Sequence, residues 1–372
     1  MKILFTGGGT AGHIFPIVAI VREMKKLHHK KKIKFFYIGP NDQFSLSLLS
    51  KERVEVKEIM AGKLRRYFSF QNIIDIFFKF PIGIVQSFFH IFSISPDLIF
   101  SKGGYGSLPV VIAGWILQTP IFLHESDVVS GLSNKIAFEF SLGFFTAFPV
   151  RDKRYYSAQR VIAAGNPIRR AILSGSPERA KRMFQLKGRK PVVLILGGSQ
   201  GAQRINDRIL AVLPDLLENF ELIHQTGKRH FDQVRKEAGV IIKKSLMEYY
   251  HPFPFLDEVK LAHAYKIADL IISRAGAGSI FEIAAVGKPS VLVPLARSAQ
   301  NHQVRNSYAY AQEGAAIVME EPNFTSHFLL TRLKFLFSKP KKLKEMAQSA
   351  KAFSRPESAR IIAEYIIAYL SQ

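Results

Sequence analysis

The chain has no cysteine among its 372 residues and a single tryptophan. The absence of cysteine excludes disulfide bonds and thiol chemistry, and it is typical of proteins that work in a reducing compartment. Acidic residues are few, since 29 aspartates and glutamates stand against 52 lysines and arginines. The resulting net charge of +23 favours an anionic partner, such as an anionic membrane surface or a phosphorylated substrate.

Several motifs are also missing from the sequence. None of the usual nucleic-acid-binding motifs occurs, so we expect no nucleic-acid partner. No Asp-x-Asp pair occurs either, so a metal-bridged diphosphate lacks an obvious ligand pair, and we expect no obligatory cofactor or bound metal. The uncharged residues 80–96 are fewer than the ~20 that a membrane span needs and include Pro81, which argues against a transmembrane helix.

What the sequence does contain is an alternation of apolar strand-like runs and helical segments, repeated in two halves. Each half opens with a strand, a glycine-rich turn and a helix, beginning at residues 2–6 and again at residues 191–196. The chain is too long for one ordinary core, so two domains are expected. The pattern predicts an α/β fold with two doubly wound parallel sheets, and we place the boundary near Gly165, giving domains 1–165 and 166–372.

The first glycine turn matches Gly-x-Gly-x-x-Gly through Gly7, Gly9 and Gly12. Taken alone, this spacing after a strand and before a helix indicates a dinucleotide fold. Such folds also need an acidic residue at the end of the second strand, and the nearest candidate, Asp42, comes late. An NAD-dependent enzyme is therefore a weak alternative, whereas we still expect backbone N–H groups to face an anion or a sugar here.

Another small-residue turn, residues 273–279, lies between two apolar strands of the second half. Gly276 and Gly278 allow the backbone to approach a ligand closely. Ser279 and Glu282 have the spacing of a capping box, which makes Glu282 a candidate helix cap. A carboxylate at a helix entrance beside glycines also suits the two hydroxyls of a ribose, and the spacing leaves both interpretations open.

Taken in order along the chain, these motifs resemble those of the GT-B glycosyltransferases, and among them the MurG family. The matching segments are GGGTAGHIFP at residues 7–16, GGY at 103–105, HE at 124–125, GNPIR at 165–169, GGSQGA at 197–202, SRAGAGSIFE at 273–282 and NHQ at 301–303 with Asn306. The resemblance implies two Rossmann-like domains facing across a cleft, with the last helix a candidate to return to the first domain. It also implies an inverting hexosyltransferase of peptidoglycan synthesis, peripheral at the cytoplasmic face of the plasma membrane.

In that family, N-acetylglucosamine moves from UDP-GlcNAc to the MurNAc 4-hydroxyl of undecaprenyl-pyrophosphoryl-MurNAc-pentapeptide (lipid I), which gives lipid II. The resemblance implies a UDP-GlcNAc site formed by Thr10, Gly12, Arg169, Ser199, Gln200, Leu256, Ala277, Gly278, Ser279, Glu282, His302 and Gln303. Glu282 would bind the ribose, and Leu256 would meet the uracil through backbone groups. The implied acceptor site consists of Gly9, Thr10, His13, Gly103, Gly104, Tyr105, Glu125 and Asp127.

Transfer to a sugar hydroxyl needs a base for the hydroxyl proton and positive charge for the departing UDP. His13, at the start of the first helix, is the leading candidate for the base, because imidazole titrates near neutral pH. Its other interpretation is a hydrogen bond to the loop or to the acceptor phosphate. Asp127 is the rival base, or else caps a turn. Arg169 would meet the diphosphate together with a helix N-terminus, unless it forms only a surface salt bridge.

The departures from the family pattern fall mostly on the acceptor side. Ala11 replaces a glycine of the first turn, and the loop at Gly106 lacks a further glycine before its proline. Ser126 and Asp127 stand where the family usually has Gln and Asn, and His302 stands where some members carry Gln. These differences leave two alternatives open: a GT-B transferase for a different glycolipid acceptor, and a non-catalytic UDP-sugar-binding module at the membrane surface.

The segment of residues 63–92 is rich in phenylalanine and carries several basic residues. We expect Pro81 to divide it into two helical pieces. Phenylalanine at helical spacing usually belongs to a core, but a lipid acceptor favours a patch that dips into an anionic membrane. The residues assigned to this patch are Phe77, Phe78, Phe88, Lys63, Arg65 and Arg66.

Overall fold

The computed structural model describes residues 1–8, 11–28, 33–62, 70–149, 158–198, 201–296 and 298–372. The chain divides into two compact units: Met1–Arg169 together with Pro356–Gln372, and Arg170–Arg355. The division falls after Arg169, close to the boundary expected near Gly165. The final residues belong to the first unit, so the second unit is shorter than the domain 166–372 placed from the sequence.

The first unit is a sheet with helices packed on both faces. Its strands are β1 Lys2–Thr6, β2 Lys34–Gly39, β3 Glu55–Glu58, β4 Leu98–Ser101, β5 Ile121–Glu125, β6 Gly143–Thr146 and β7 Val161–Ala163. Its helices before the crossover are α1 Ala11–Leu27, α2 Gln43–Lys51, α3 Phe70–Ile74, α4 Phe80–Ile94, α5 Leu108–Ile116 and α6 Leu132–Phe138. A π-helical segment covers Asp75–Lys79, and a 3-10 turn covers Ala158–Arg160.

The second unit repeats the plan. Its strands are β8 Val192–Leu196, β9 Glu221–Gln225, β10 Tyr250–Phe253, β11 Leu270–Ser273, β12 Ser290–Leu292 and β13 Ala316–Val318. Its helices are α7 Pro177–Phe184, α8 Gln203–Leu210, α9 Leu213–Asn219, α10 Phe231–Ile241, α11 Glu258–Ile267, α12 Ala277–Ala285, α13 His302–Gln312, α14 Ser326–Phe337 and α15 Pro340–Phe353. Its 3-10 segments are Arg170–Ser174, Lys244–Tyr249, Ala299–Asn301 and Glu321–Asn323.

Strand order decides where a ligand binds on each sheet. The first sheet runs β3-β2-β1-β4-β5-β6-β7 and the second β10-β9-β8-β11-β12-β13, with parallel pairing throughout both. The direction of winding reverses between β1 and β4 and again between β8 and β11. Open α/β sheets bind ligands beyond the carboxyl ends of the strands at such a reversal. The predicted fold class, two doubly wound parallel sheets, is confirmed.

Side chains of the first sheet alternate between two cores. Ile3 and Phe5 join the core beneath α1, whereas Leu4 and Ile99 join the core beneath α4 and α5. Successive side chains of a strand point to opposite faces, and both faces here are covered by helices. This burial on both sides explains why the strands appear in the sequence as continuous apolar runs instead of alternating ones.

The last helix, α16 (Ser358–Tyr369), packs against α1. Ile362 and Ile366 are fully buried and belong to the same core as Ile14. The apolar face of α16 therefore completes one core of the first unit. This packing is the physical reason why the end of the chain belongs with its beginning.

Residues 70–94 form one continuous helix, in which α3 passes through the π-helical segment into α4. The backbone N–H of Phe80 donates to the carbonyl oxygen of Asp75, five residues earlier, so the hydrogen-bond register shifts just before Pro81. Pro81 follows directly, so its missing N–H falls where the register changes from π-helical to α-helical. The predicted break at Pro81 is therefore wrong.

Within this helix, the stretch Asn72–Ile94 is long and apolar enough to cross a membrane, judged by length and composition only. It is the one helix in the described part of the chain that meets this test, and most of it is exposed. Its charges do not interrupt it, because Lys79 Nζ lies 2.8 Å from Oδ1 of the buried Asp75. The uncharged run that looked too short in the sequence is only the second half of this helix.

Candidate active site

Two glycine turns of the first unit touch at the carboxyl ends of β1 and β4. The backbone N–H of Gly8 donates to the carbonyl oxygen of Gly103 at 2.8 Å. Gly103 and Gly104 have φ values of 80° and 91°, and a Cβ on Gly104 would lie 2.8 Å from Cα of Gly8. The contact therefore requires glycine on conformational and steric grounds. It places two backbone turns side by side at the point where the sheet reverses.

His13 lies beside this pair of turns. It is the third residue of α1 and is half-buried. A Cβ built on Gly104 would come within 3.3 Å of its Cε1, so the imidazole lies against the second turn. Gly12, the residue before it, is exposed. The structure thus brings the proposed base and the proposed acceptor turn together, while Gly9 and Thr10 lie outside the described residues.

Glu125 ends β5 and acts as an anchor for the loop that follows. Its buried carboxylate accepts hydrogen bonds from the backbone N–H groups of Asp127 and Gly131, both at 3.0 Å, and from the Asn134 amide at 2.9 Å. Burial, followed by the nearby charge of Asp127, raises the pKa of Glu125. The carboxylate shapes the loop, and the half-buried Asp127 lies at its start.

Arg169 and Tyr105 complete the polar residues predicted in this unit. Arg169 is 6% exposed, and its guanidinium carbon lies 4.1 Å from the centre of the Phe15 ring, two residues after His13. Arg169 is therefore not a surface residue, because its side chain is buried on an aromatic face. Tyr105, directly after the second turn, is half-buried, and burial raises the pKa of its hydroxyl.

The second unit carries a matching turn between β8 and α8. Gly198 and Gly201 have φ values of 84° and 82°, and a Cβ on Gly201 would lie 2.6 Å from the carbonyl oxygen of Thr226. Glycine is thus needed at the entrance to α8, whose N-terminal N–H groups favour an anion. Ser199 and Gln200, both predicted to contact the donor, lie outside the described residues.

Gln225, which the sequence analysis missed, connects this turn to the next loop. Its amide nitrogen donates to the carbonyl oxygen of Gly198 at 3.1 Å, and its amide oxygen accepts from the backbone N–H of Leu256 at 3.0 Å. The Leu256 N–H is thus engaged, and its side chain is buried. Of the two backbone groups of Leu256, only the carbonyl oxygen is left to contact a uracil. A polar residue at the carboxyl end of a buried strand was the signal available in the sequence.

The structure excludes one of the two interpretations of Glu282, the helix cap. The N-cap of α12 is Gly276, with no side-chain capping bond, so Ser279 is the third residue of the helix and the predicted capping box is wrong. Glu282 lies in the second turn, is 8% exposed, and accepts a hydrogen bond from the Tyr265 hydroxyl at 3.1 Å. Its carboxylate is therefore held by a buried tyrosine instead of closing the helix start.

The first turn of α12 presents backbone donors. Ala277, Gly278 and Ser279 occupy its first three positions, where N–H groups have no partner within the helix. The loop before them is held in place by Arg274, which donates to the carbonyl oxygen of Val293 at 3.2 Å and pairs with Glu321 at 2.6 Å. This end of the helix suits a phosphate group.

His302 and Gln303 open α13. The residues before them, Gln300 and Asn301, both have a φ of 53°, a left-handed conformation that makes a sharp turn into the helix. Gln303 accepts from the backbone N–H of Leu295 at 3.0 Å, which fixes the preceding loop. The amide oxygen of Gln303 is thus engaged. His302, the other residue predicted to contact the sugar, is half-buried.

The predicted residues that the structure describes thus form two sets, one in each unit, in segments that follow the carboxyl ends of strands. The first unit holds Gly12, His13, Gly103, Gly104, Tyr105, Glu125, Asp127 and Arg169. The second holds Leu256, Ala277, Gly278, Ser279, Glu282, His302 and Gln303. Among the residues that the structure describes, no group of three or more His, Asp or Glu side chains is arranged to hold a metal ion.

Comparison with known proteins assigns both halves of the chain to one glycosyltransferase family. Residues 3–145 match the N-terminal domain model of glycosyltransferase family 28, and residues 192–362 match its C-terminal domain model. A UDP-N-acetylglucosamine–N-acetylmuramyl-(pentapeptide) pyrophosphoryl-undecaprenol N-acetylglucosamine transferase of Bacillus cereus is 35% identical, covering 98% of this chain and 99% of its own. The transferase of that name from Clostridium tetani is also 35% identical, covering 94% of both chains.

A solved structure shares the fold. The crystal structure of MurG from Acinetobacter baumannii superposes with a TM-score of 0.75 and 23% sequence identity, covering 99% of each chain. At this identity the likeness is evidence for the fold alone.

Proposed function

This chain belongs to glycosyltransferase family 28, and from that premise we propose how its two units serve one reaction. The reaction is that of the MurG family, in which N-acetylglucosamine moves from UDP-GlcNAc to the MurNAc 4-hydroxyl of lipid I and yields lipid II for peptidoglycan. Relatives that match over nearly their full length at 35% identity carry this assignment. Glycine turns at both switch points support it.

The second unit binds UDP-GlcNAc in this proposal. The N-termini of α8 and α12 take the diphosphate through backbone N–H groups, and Glu282 binds the ribose hydroxyls. Glu282 does not cap its helix, and its carboxylate instead accepts a hydrogen bond from the buried Tyr265. This hydrogen bond is the observation that supports the proposed role of Glu282 in binding the ribose. The carbonyl of Leu256 meets the uracil, and His302 with Gln303 meets the sugar.

The first unit binds lipid I and supplies the base. The acceptor pyrophosphate lies at the two touching glycine turns, and His13 takes the proton of the MurNAc 4-hydroxyl as its oxygen attacks C1 of the donor sugar. The bond from C1 to the UDP oxygen breaks, and the electron pair leaves with UDP. The helix N-termini and Arg169 offset the charge of the departing UDP, so we propose that no bound metal is required.

We also propose that the helix of residues 70–94 lies on the cytoplasmic membrane face as a peripheral contact. Phe77 and Phe78 are 69% and 61% exposed, and Phe89 and Phe92, which were not predicted, are equally open. Such a row of apolar side chains on a surface marks an interaction site. Phe88 is half-buried and packs against the core, so it does not belong to this face. Lys63, Arg65 and Arg66 lie outside the described residues.

The test of the reaction is transfer of labelled N-acetylglucosamine from UDP-GlcNAc to lipid I in detergent. We expect His13→Ala to lower kcat by roughly 10²- to 10⁴-fold, the usual effect of losing a general base. We expect Glu282→Ala to raise KM for UDP-GlcNAc while leaving KM for lipid I near its original value. If calorimetry shows that the wild-type protein binds UDP-GlcNAc but the protein makes no lipid II, the acceptor is a different glycolipid.

A further inference from the structure

Lys102 is a buried cation that the mechanism above does not use. It follows β4, comes directly before the Gly103–Gly104 turn, and is 2% exposed. Its ammonium donates to the hydroxyl of Ser126. A lysine is rarely buried so completely unless opposite charge and hydrogen bonds compensate it.

The charged groups around Lys102 come from the end of β5 and the loop after it. Glu125 and Asp127 attract the ammonium of Lys102. His124 precedes Glu125 on β5, and burial together with the charge of Lys102 holds the pKa of His124 well below its usual value, so His124 is neutral. Burial lowers the pKa of Lys102 to about 8, and the two carboxylates oppose that shift. Lys102 is therefore charged at neutral pH and loses its charge in mildly alkaline solution.

Hydrogen bonds connect Lys102 to the loop after β5 and, through that loop, to the segment after β7. Ser126, which accepts from Lys102, donates in turn to Oδ1 of Asn166 at 2.7 Å. The His124 ring lies 2.9 Å from the carbonyl oxygen of Gly165. The chain of contacts joins the ends of β4 and β5 to the segment after β7, and it does so beside the turn that His13 touches.

We infer that Lys102 is a positioning residue for the transfer, which holds the Ser126–Asp127 segment against the acceptor turn and balances the carboxylates of Glu125 and Asp127. The inference rests on the proposed function, since it assumes that an anionic pyrophosphate binds at that turn. Without Lys102 the two carboxylates would repel this pyrophosphate.

A double-mutant cycle tests the inference. Lys102→Met removes the charge at similar side-chain volume, and we expect it to raise KM for lipid I by about tenfold with KM for UDP-GlcNAc unchanged. Asp127→Asn removes one repelling carboxylate. In the double variant, KM for lipid I should return to within about threefold of the value for Asp127→Asn alone, because the charges are again closer to balance.

The pH profile provides a second measurement on wild type, which is informative even if Lys102→Met fails to fold. KM of the wild-type protein for lipid I should rise above pH ~8, where Lys102 loses its proton. Additive losses in the cycle, equal changes in both KM values, or a flat alkaline profile would overturn the role of Lys102. A wild type that makes no lipid II would instead overturn the proposed function and this inference with it.

Discussion

At the scale of single residues, Glu282 has one role by its spacing in the sequence and a different one in the structure. Ser279 and Glu282 fit a capping box by spacing, but Gly276 adopts the extended conformation that starts the helix three residues earlier. The side chain that holds Glu282 is Tyr265, on α11, which is distant in sequence. No local pattern connects the two residues, so only the packed structure relates them.

Removing the hydroxyl of Tyr265 should weaken donor binding. Tyr265→Phe deletes a hydrogen bond to the Glu282 carboxylate, and such a bond to a charged group is typically worth about 1.5–3 kcal/mol. We expect KM for UDP-GlcNAc to rise by about tenfold in steady-state kinetics, with a smaller change in kcat.

Tyr310→Phe is the matched control for this change. Tyr310 is another fully buried tyrosine of the second unit, and its hydroxyl has no hydrogen-bond partner among the described residues. Its loss should leave KM for UDP-GlcNAc unaltered. Equal effects of the two variants would mean that Tyr265 supports the fold of the unit and not the position of Glu282.

At the scale of elements, the helix of residues 70–94 departs furthest from its sequence prediction. Pro81 argues for a break when the chain is considered alone. The π-helical segment before it changes the hydrogen-bond register, and the helix continues. Propensity rules assume a regular α-helix, so they cannot anticipate this solution. The resulting long apolar surface is what makes membrane contact a reasonable proposal.

Replacing Phe77, Phe78 and Phe89 by Ser should reduce sedimentation with vesicles that contain phosphatidylglycerol. Each phenylalanine contributes apolar area to the contact, so we expect at least about a tenfold loss in partitioning for the triple variant. Because all three side chains are well exposed, the thermal stability should change little.

Val240→Ser with Val259→Ser serves as the control for general loss of surface hydrophobicity. Both valines are well exposed in the second unit, at 86% and 62%. Vesicle sedimentation of this variant should match wild type. If the phenylalanine variant also sediments like wild type, the helix is not the membrane contact.

At the scale of the whole molecule, the chain crosses between its two units twice, and α16 completes a core begun by the first helix. Ile362 and Ile361 are neighbours on α16, but the first is fully buried and the second is 43% exposed. We expect Ile362→Ala to destabilise the first unit by about 2–5 kcal/mol in urea unfolding, because it leaves a cavity in the core.

Ile361→Ala provides the comparison, with an expected change within about 0.5 kcal/mol. UDP-GlcNAc binding, measured by calorimetry under native conditions, should be the same in both variants because the residues proposed to bind the ribose and the uracil, Glu282 and Leu256, lie in the other unit. Similar stability losses for the two substitutions would contradict the packing of α16 described here.

The sequence by itself determined the alternation of strands and helices, the two parallel sheets and the family, because these depend on local apolar periodicity and on glycine motifs at recognisable spacing. The family predicted from those motifs is confirmed by relatives that are 35% identical and match over nearly the full length of the chain. Glycine turns at strand ends could be located in advance, since few other residues permit a positive φ.

Only the tertiary structure decided which polar groups meet. It identified Gln225 as the link between Gly198 and Leu256, and it placed Lys102 among Glu125, Asp127 and Ser126. These contacts join segments far apart in the chain, so no periodicity encodes them. They exist because parallel strands bring their carboxyl ends to one edge of a sheet, where residues distant in sequence are packed together and desolvated.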